Sequence, residues 1–135
     1  MIKCKISLCA ESVVTDSQTN NVSVFSIIEQ IGGKGFPLLF RKLVYFFFLT
    51  RDKTNAEIQK GFLVLQLDSE ELLRFPFQID FQGKLRNRVI LTIEGVVIPK
   101  PGTLSGILIL RGKEYGRWGI PVEKSGKPKV EATEA

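Results

Sequence analysis

Between Arg88 and Val122 three apolar runs are separated by two turns, Pro99-Lys100-Pro101-Gly102 and Gly112-Lys113-Glu114. Short apolar runs bounded by Pro- and Gly-containing turns are the mark of consecutive antiparallel strands. The same rhythm fills the rest of the chain, and no stretch carries the 3.6-residue periodicity of an amphipathic helix. The pattern therefore predicts an all-β protein, an antiparallel two-sheet β-sandwich of about eight strands. At most one short helical turn is expected near 68–73, with Asp68 or Ser69 as its cap.

The individual strands follow from their alternation. In residues 2–10, Ile2, Cys4, Ile6, Leu8 and Ala10 fall on one face and Lys3, Lys5, Ser7 and Cys9 on the other. Asp16 to Asn21 is a turn cluster, because Asp and Asn side chains bond local backbone. Val22–Ile31 reads as the second strand, ended by Gly32-Gly33-Lys34-Gly35, with Phe36-Pro37 starting a crossing loop. Leu39–Thr50 carries the aromatic block and is expected to pair as a hairpin with Ala56–Leu67 across Arg51–Asn55. Phe75–Phe81 alternates, and Pro76 confines it to a strand start or an edge. Arg88–Ile98 follows, with a bulge expected at Gly95. Leu104–Leu110 is apolar on both faces, as in the centre of a sheet, and the last strand holds Tyr115, Trp118, Ile120 and Val122.

The chain has 135 residues, 44% hydrophobic and 24% charged, enough for one domain with a core of its own. The division expected is a folded domain over 1–123 and a mobile tail of mixed charge over 124–135, where large apolar residues give out. The N-terminal Met1 to Ala10 has no uninterrupted apolar region of the ~7 to 15 residues that a secretion signal needs. The longest apolar run, Leu43–Leu49, falls far short of the ~20 residues of a spanning helix. The chain reads as unprocessed and cytoplasmic. Free thiols fit that compartment: Cys4 and Cys9 in one regular strand stand about 16 Å apart on opposite faces, too far for a disulfide.

Two stretches stand out: Asp16-x-x-x-Asn20-x-Val22-Ser23-Val24-Phe25 with Ile28-Glu29-x-Ile31 and Phe36-Pro37, and Pro99-x-Pro101-Gly102-x-Leu104-x-Gly106 with Gly112-x-Glu114-x-Gly116 before Ile120-Pro121-Val122. On these the chain, over roughly its whole length except the tail, resembles a family of small uncharacterised bacterial domains. Arg41 to Asn87 matches in strand spacing alone. The resemblance implies a β-sandwich and transfers no catalytic residue.

The chemistry open to the chain is narrow. With no histidine, Ser-His-Asp and Cys-His arrangements and most zinc sites are closed to it. Gly32-Gly33-Lys34-Gly35 lacks the spacing and the following helix of a phosphate loop. Glu29, Asp68, Glu70, Glu71, Asp80 and Glu94 could supply a carboxylate pair for hydrolysis, though solvated strand faces and loops account for such residues. Asp52 with Asn55, and Asp68 with Glu70 and Glu71, offer too few oxygens for calcium. No cofactor or metal is expected. Net charge is +5, and two basic clusters suit an anion: Lys84, Arg86 and Arg88 at one turn, Arg111, Lys113 and Arg117 at another. Tyr115 and Trp118 interleave with the second as stacking surfaces would.

The reading this supports is a non-enzymatic module working through protein contacts, with Tyr115 and Trp118 as candidate contact residues and self-association through edge strands. Leu43–Leu49, Phe62–Leu67 and Leu104–Leu110 carry more apolar surface than two stacked sheets need to hide. A nucleic-acid-binding module is the alternative, and a carboxylate hydrolase the third.

Overall fold

The computed structural model describes residues 1–125 and the short strand Thr133–Glu134. No helix occurs among them. The strands are β1 (Lys3–Thr15), β2 (Val22–Ile27), β3 (Ile31–Gly33), β4 (Leu38–Thr50), β5 (Ile58–Leu67), β6 (Glu70–Asp80), β7 (Arg86–Ile98), β8 (Gly102–Leu110), β9 (Lys113–Lys124) and β10 (Thr133–Glu134). They form two sheets. In the first, β4 is central: β7 lines one edge from end to end, and the other is shared by β1 and, at Leu38 and Leu39, by β10, while β2 lies outside β1. The second has the order β3-β9-β8-β5-β6, antiparallel except for β3 beside β9. The expected tail falls, beyond Ser125, outside the described residues apart from β10.

The two sheets share one core. Tyr45, Phe47 and Leu49 of β4 are buried in it with Leu63 and Leu65 of β5, Leu104 and Leu108 of β8, and Ile120 of β9. Contact is closest where the second sheet has glycine. A Cβ at Gly106 would overlap the edge of the Tyr45 ring, 2.5 Å from Cζ and nearer still to Cε1. At Gly116 it would come within 2.8 Å of Cys4 Sγ.

Several expectations are corrected. β4 and β5 are not a hairpin: β4 is flanked by β1 and β7, β5 by β6 and β8, so residues 51–57 cross between sheets. Val22–Ile31 is not one strand, because Ile31–Gly33 belongs to the second sheet. The helical turn near 68–73 is a two-residue hairpin turn instead. Leu67 pairs with Glu70 across it, and Asp68 takes the left-handed conformation, φ 54°, that Asp tolerates better than most residues. Its carboxylate Oδ1 accepts the Thr103 N–H at 3.0 Å, so it caps the start of β8 rather than a helix.

Cys4 and Cys9 do not lie on opposite faces. A bulge between Cys4 and Ile6 reverses the alternation of β1, so that Cys4 and Cys9 both pack on the core and Ile6 faces outward. One extra residue suffices, because side chains alternate with period two. Gly95 has the positive φ, 70°, of a kink, yet the β4–β7 register does not shift across it. Both strands change face together there: Leu43, Tyr45 and Phe47 alternate with Val89 and Ile93 into the core, and beyond the kink Leu38, Phe40, Val96 and Ile98 take their place. The edge position of Pro76 and the central position of β8 are as expected.

The outer face of the first sheet is hidden in part by its own chain. Leu8 and Ala10 pair with Phe46 and Val44 on that face, and Val44, Phe46 and Ala10 are buried. The cover is the β1–β2 hairpin. Arg88 Nη2 donates to the Asn20 carbonyl at 2.9 Å and to Asn20 Oδ1 at 2.8 Å, and Asn20 lies in the hairpin turn. Ala10, Val44 and Thr92 stand level across the sheet. A straight hairpin leaving at Ala10 would carry its turn roughly 30 Å beyond Arg88, at ~3.3 Å per residue. The hairpin therefore doubles back over the sheet, with half-buried Val13, Val22 and Val24 below and exposed Val14 and Phe25 above.

Candidate functional site

Most residues singled out in the sequence have structural partners. Trp118 pairs with Gly106 on the core side of β9 and is half-buried, with its Nε1–H donating to the Ile28 carbonyl at 3.0 Å. Tyr115 occupies a β9 bulge, the extra residue between Glu114, opposite Ile109, and Gly116, opposite Leu108. Its ring leans on the core, with Lys113 Nζ 5.5 Å from the centroid. Arg117 is held by Glu114 through two bonds, at 3.1 and 2.8 Å. Those bonds hold the Glu114 carboxyl below its usual range.

In the other basic cluster, Arg86 lies over the Phe48 ring at 5.1 Å and Arg88 grips Asn20. Lys84 and Arg111 make no ion pair among the described residues. Strand pairing places both clusters at one end of the molecule. Leu110, next to Arg111, pairs with Gly61; Ile58 pairs with Asp80; and Arg86 pairs with Thr50.

The candidate acids are dispersed. Glu71 is bound to Arg74 at 2.9 Å, Asp68 caps β8, and Glu94 lies on the other sheet opposite Lys42. Among the described residues no three of Cys, Asp and Glu gather closely enough to hold a metal ion. No helix among them is long and apolar enough to cross a membrane.

Neither cysteine is an activated nucleophile. Burial pushes the Cys9 thiol up to about 12, against weaker opposing influences of the neighbouring Tyr45 hydroxyl and backbone. Burial also raises Cys4. The Tyr45 hydroxyl lies beside Cys9 without a hydrogen bond of good geometry, and burial raises its pKa as well. A thiol whose folded pKa exceeds its unfolded value of 9.0 keeps its proton in the native state while the unfolded chain loses it. Stability is thus full below pH 9 and falls as pH rises toward 12. Urea titrations at pH 8 and pH 11 are expected to show a lower midpoint at pH 11, with Cys9→Ala reducing the difference. An unchanged difference in that variant would remove Cys9 as its source.

The apolar excess in the sequence is largely accounted for within the chain. Val44 and Phe46 lie under the doubled-back hairpin. On the outer face of the second sheet one cross-strand row reads Arg74, Val64, Ile107, Arg117. Val64 and Ile107 are buried there between two arginines, each tied to a glutamate three residues back. Long arginine stems cover apolar surface in this way.

What is left open is one side. β7 is the edge of the first sheet and β6 the edge of the second, and residues 81–85 join them. Leu73, Phe75 and Phe77 alternate there with Leu65, Leu63 and Gly61 opposite them on β5, so they point into the space between the sheets. Phe75 nonetheless remains 39% exposed, and Leu73, Phe77 and Leu91 are half-buried. Core-facing side chains reach solvent because no described strand continues either sheet. Sequence reasoning found the alternation of Phe75–Phe81 but could not place it, since that requires knowing which strands end the sheets.

Searches of family models, curated proteins and solved structures return no match to this chain.

Proposed function

We propose that this chain is a β-sandwich module without catalytic activity, an accessory or assembly subunit that works through protein contacts made on the open side between β6 and β7. The observation that carries this reading is Phe75, a core-facing aromatic left 39% exposed at an unpaired sheet edge. Burying the part of the ring still in water is worth about 1 kcal/mol, and aromatic residues are enriched at such contacts. The resemblance to small bacterial β-sandwich domains agrees with a module of this kind.

Sedimentation velocity from micromolar to millimolar concentration tests the reading. The full chain is expected to approach twice its monomer mass, and Phe75→Glu to stay monomeric with an unchanged circular dichroism spectrum. A wild-type chain that is monomeric throughout would overturn it.

A nucleic-acid-binding module is the second reading, favoured by the gathering of Lys84, Arg86, Arg111 and Lys113 at one end. Its electrostatic half has support. Its stacking half has less, since Trp118 faces the core and Tyr115 is capped by Lys113. Retention on a heparin column at physiological salt, lost in a Lys84→Glu/Arg111→Glu variant, is the expected result under this reading. Elution of the wild type in the void volume rejects it.

A further inference from the structure

The geometry points to a specific contact on that open side: β7 pairs antiparallel with β7 of a second copy, with Leu91 on the twofold axis. This rests on the reading above and names its partner and register.

β7 is bonded along one edge only. It pairs residue for residue with β4, and no other described strand pairs with it. The direction of its free groups can be read at one point. The Arg88 N–H donates to Asn87 Oδ1 at 2.8 Å, so it is turned away from β4. In an antiparallel pair the backbone groups of alternate residues turn to opposite sides. Ile90, Thr92 and Glu94 therefore present N–H and C=O to the open side, while Val89, Leu91 and Ile93 bond to β4. The left-handed Gly95 ends this regular stretch, and the Asn87 side chain bounds it at the start. Seven residues, Arg88 to Glu94, form the edge with no strand beside it among those described, the Arg88 N–H alone being held by the Asn87 side chain.

The side chains of those residues are complementary to a copy of themselves. With Leu91 opposite its own counterpart, Val89 meets Ile93 of the second copy on the core face, and Leu91 meets Leu91. On the outer face Ile90 meets Thr92, and Arg88 meets Glu94. The twofold axis repeats each pair, as an isologous contact requires. Both charge pairs join opposite signs.

Each charged group is available for this role. Glu94 has no ion pair among the described residues. Arg88 holds Asn20 through Nη2 alone, which leaves Nε and Nη1 for a carboxylate. Leu91 is half-buried although Val89 and Ile93 on either side of it are buried, and a second Leu91 would complete its cover. The first sheets of two copies would become one continuous sheet, bringing the two exposed Phe75 edges toward each other beneath it.

Cysteine cross-linking in a Cys4→Ser background reads the register. Leu91→Cys is expected to form a disulfide dimer under mild oxidation, because directly opposed residues have Cα atoms ~4.5 to 5.5 Å apart, within disulfide reach. Glu94→Cys should not, since its counterpart stands six residues away, ~20 Å. Independently, Glu94→Arg sets arginine against Arg88 twice and should weaken association by ~10-fold, with Arg88→Glu added to it restoring affinity. That charge series keeps the test valid should Leu91→Cys fail to fold. A dimer in which Leu91→Cys stays uncrosslinked, or Glu94→Cys cross-links, or the charge reversal is without effect, overturns the β7 pairing and leaves the open-side reading standing. A chain that is monomeric throughout overturns both.

Discussion

Replacing Gly106 by alanine is expected to lower the unfolding free energy by about 3 kcal/mol or more, the upper range for overpacking a core. The added methyl carbon would lie 2.5 Å from Cζ and 2.6 Å from Cδ1 of Tyr45, well inside van der Waals contact. Tyr45 cannot yield, because its ring is fully buried and stacked on Phe47 at 6.3 Å between centroids. Gly106 cannot retreat either, since β8 is bonded to β5 and β9 on its two sides. Urea denaturation should show the loss as a lower midpoint with the slope unchanged. Tyr45→Ala alone removes a large side chain and should cost ~3 to 5 kcal/mol. In the double variant the methyl group partly fills that cavity, so the combined cost should fall short of the sum by at least ~1 kcal/mol. Additive costs would mean that the two sheets do not meet at this pair.

The same pair shows what a sequence of this kind conceals. Alternation in Leu39–Thr50 and Leu104–Leu110 identifies strands and their faces, because side-chain direction is a local property of a pleated chain. Pro76 likewise marks an edge from its missing N–H alone. Which strand faces which is not local. Arg51–Asn55 looks like a hairpin turn as much as a crossing between sheets, and only the partners of β4 and β5 decide between them. Single-residue irregularities were only partly visible, for a different reason: Gly95 marked a break in β7 but not the form it takes. The bulge at Cys4–Ile6 and the coupled change of face around Gly95 reverse the burial of everything beyond them, and neither Lys5 nor Arg41 announces it. Asp68-Ser69 was open to a better reading, since two turn residues between apolar runs are a hairpin signal.

The candidate site was less legible than the fold. The basic clusters and Trp118 stood out as residue types, but the open side depends on which strands lack a neighbour. Phe75 is exposed for that reason and not through any feature of its local sequence.

The second large effect is expected at Arg51, which binds the end of the molecule where the crossing loop leaves β4. Its side chain is only 5% exposed, and its nearest carboxylate, Glu57, stands 4.0 Å away with most of its own surface in water. The guanidinium is instead satisfied by backbone. Nε donates to the Lys84 carbonyl at 2.8 Å and Nη1 to the Asn55 carbonyl at 3.1 Å, while the Phe81 ring lies 5.4 Å below. Two segments that share no strand pairing at this point, the crossing loop and the β6–β7 connection, are thus held by one planar donor group. Arg51→Met keeps much of the packing volume but leaves carbonyls without donors, which costs ~1 to 3 kcal/mol for each that stays buried. A loss of about 3 kcal/mol is expected, or roughly 10 °C in melting temperature for a domain of this size. Arg51→Lys retains the charge but not the fork, so it should recover less than half of that. Hydrogen exchange gives the more specific readout. The Arg51 N–H bonds to the Leu85 carbonyl and the Phe81 N–H to the Glu57 carbonyl, both at 2.9 Å, and both should lose protection in Arg51→Met while amides of β8 keep theirs. Uniform loss across β8 and the crossing loop would instead mean that Arg51 supports the whole core.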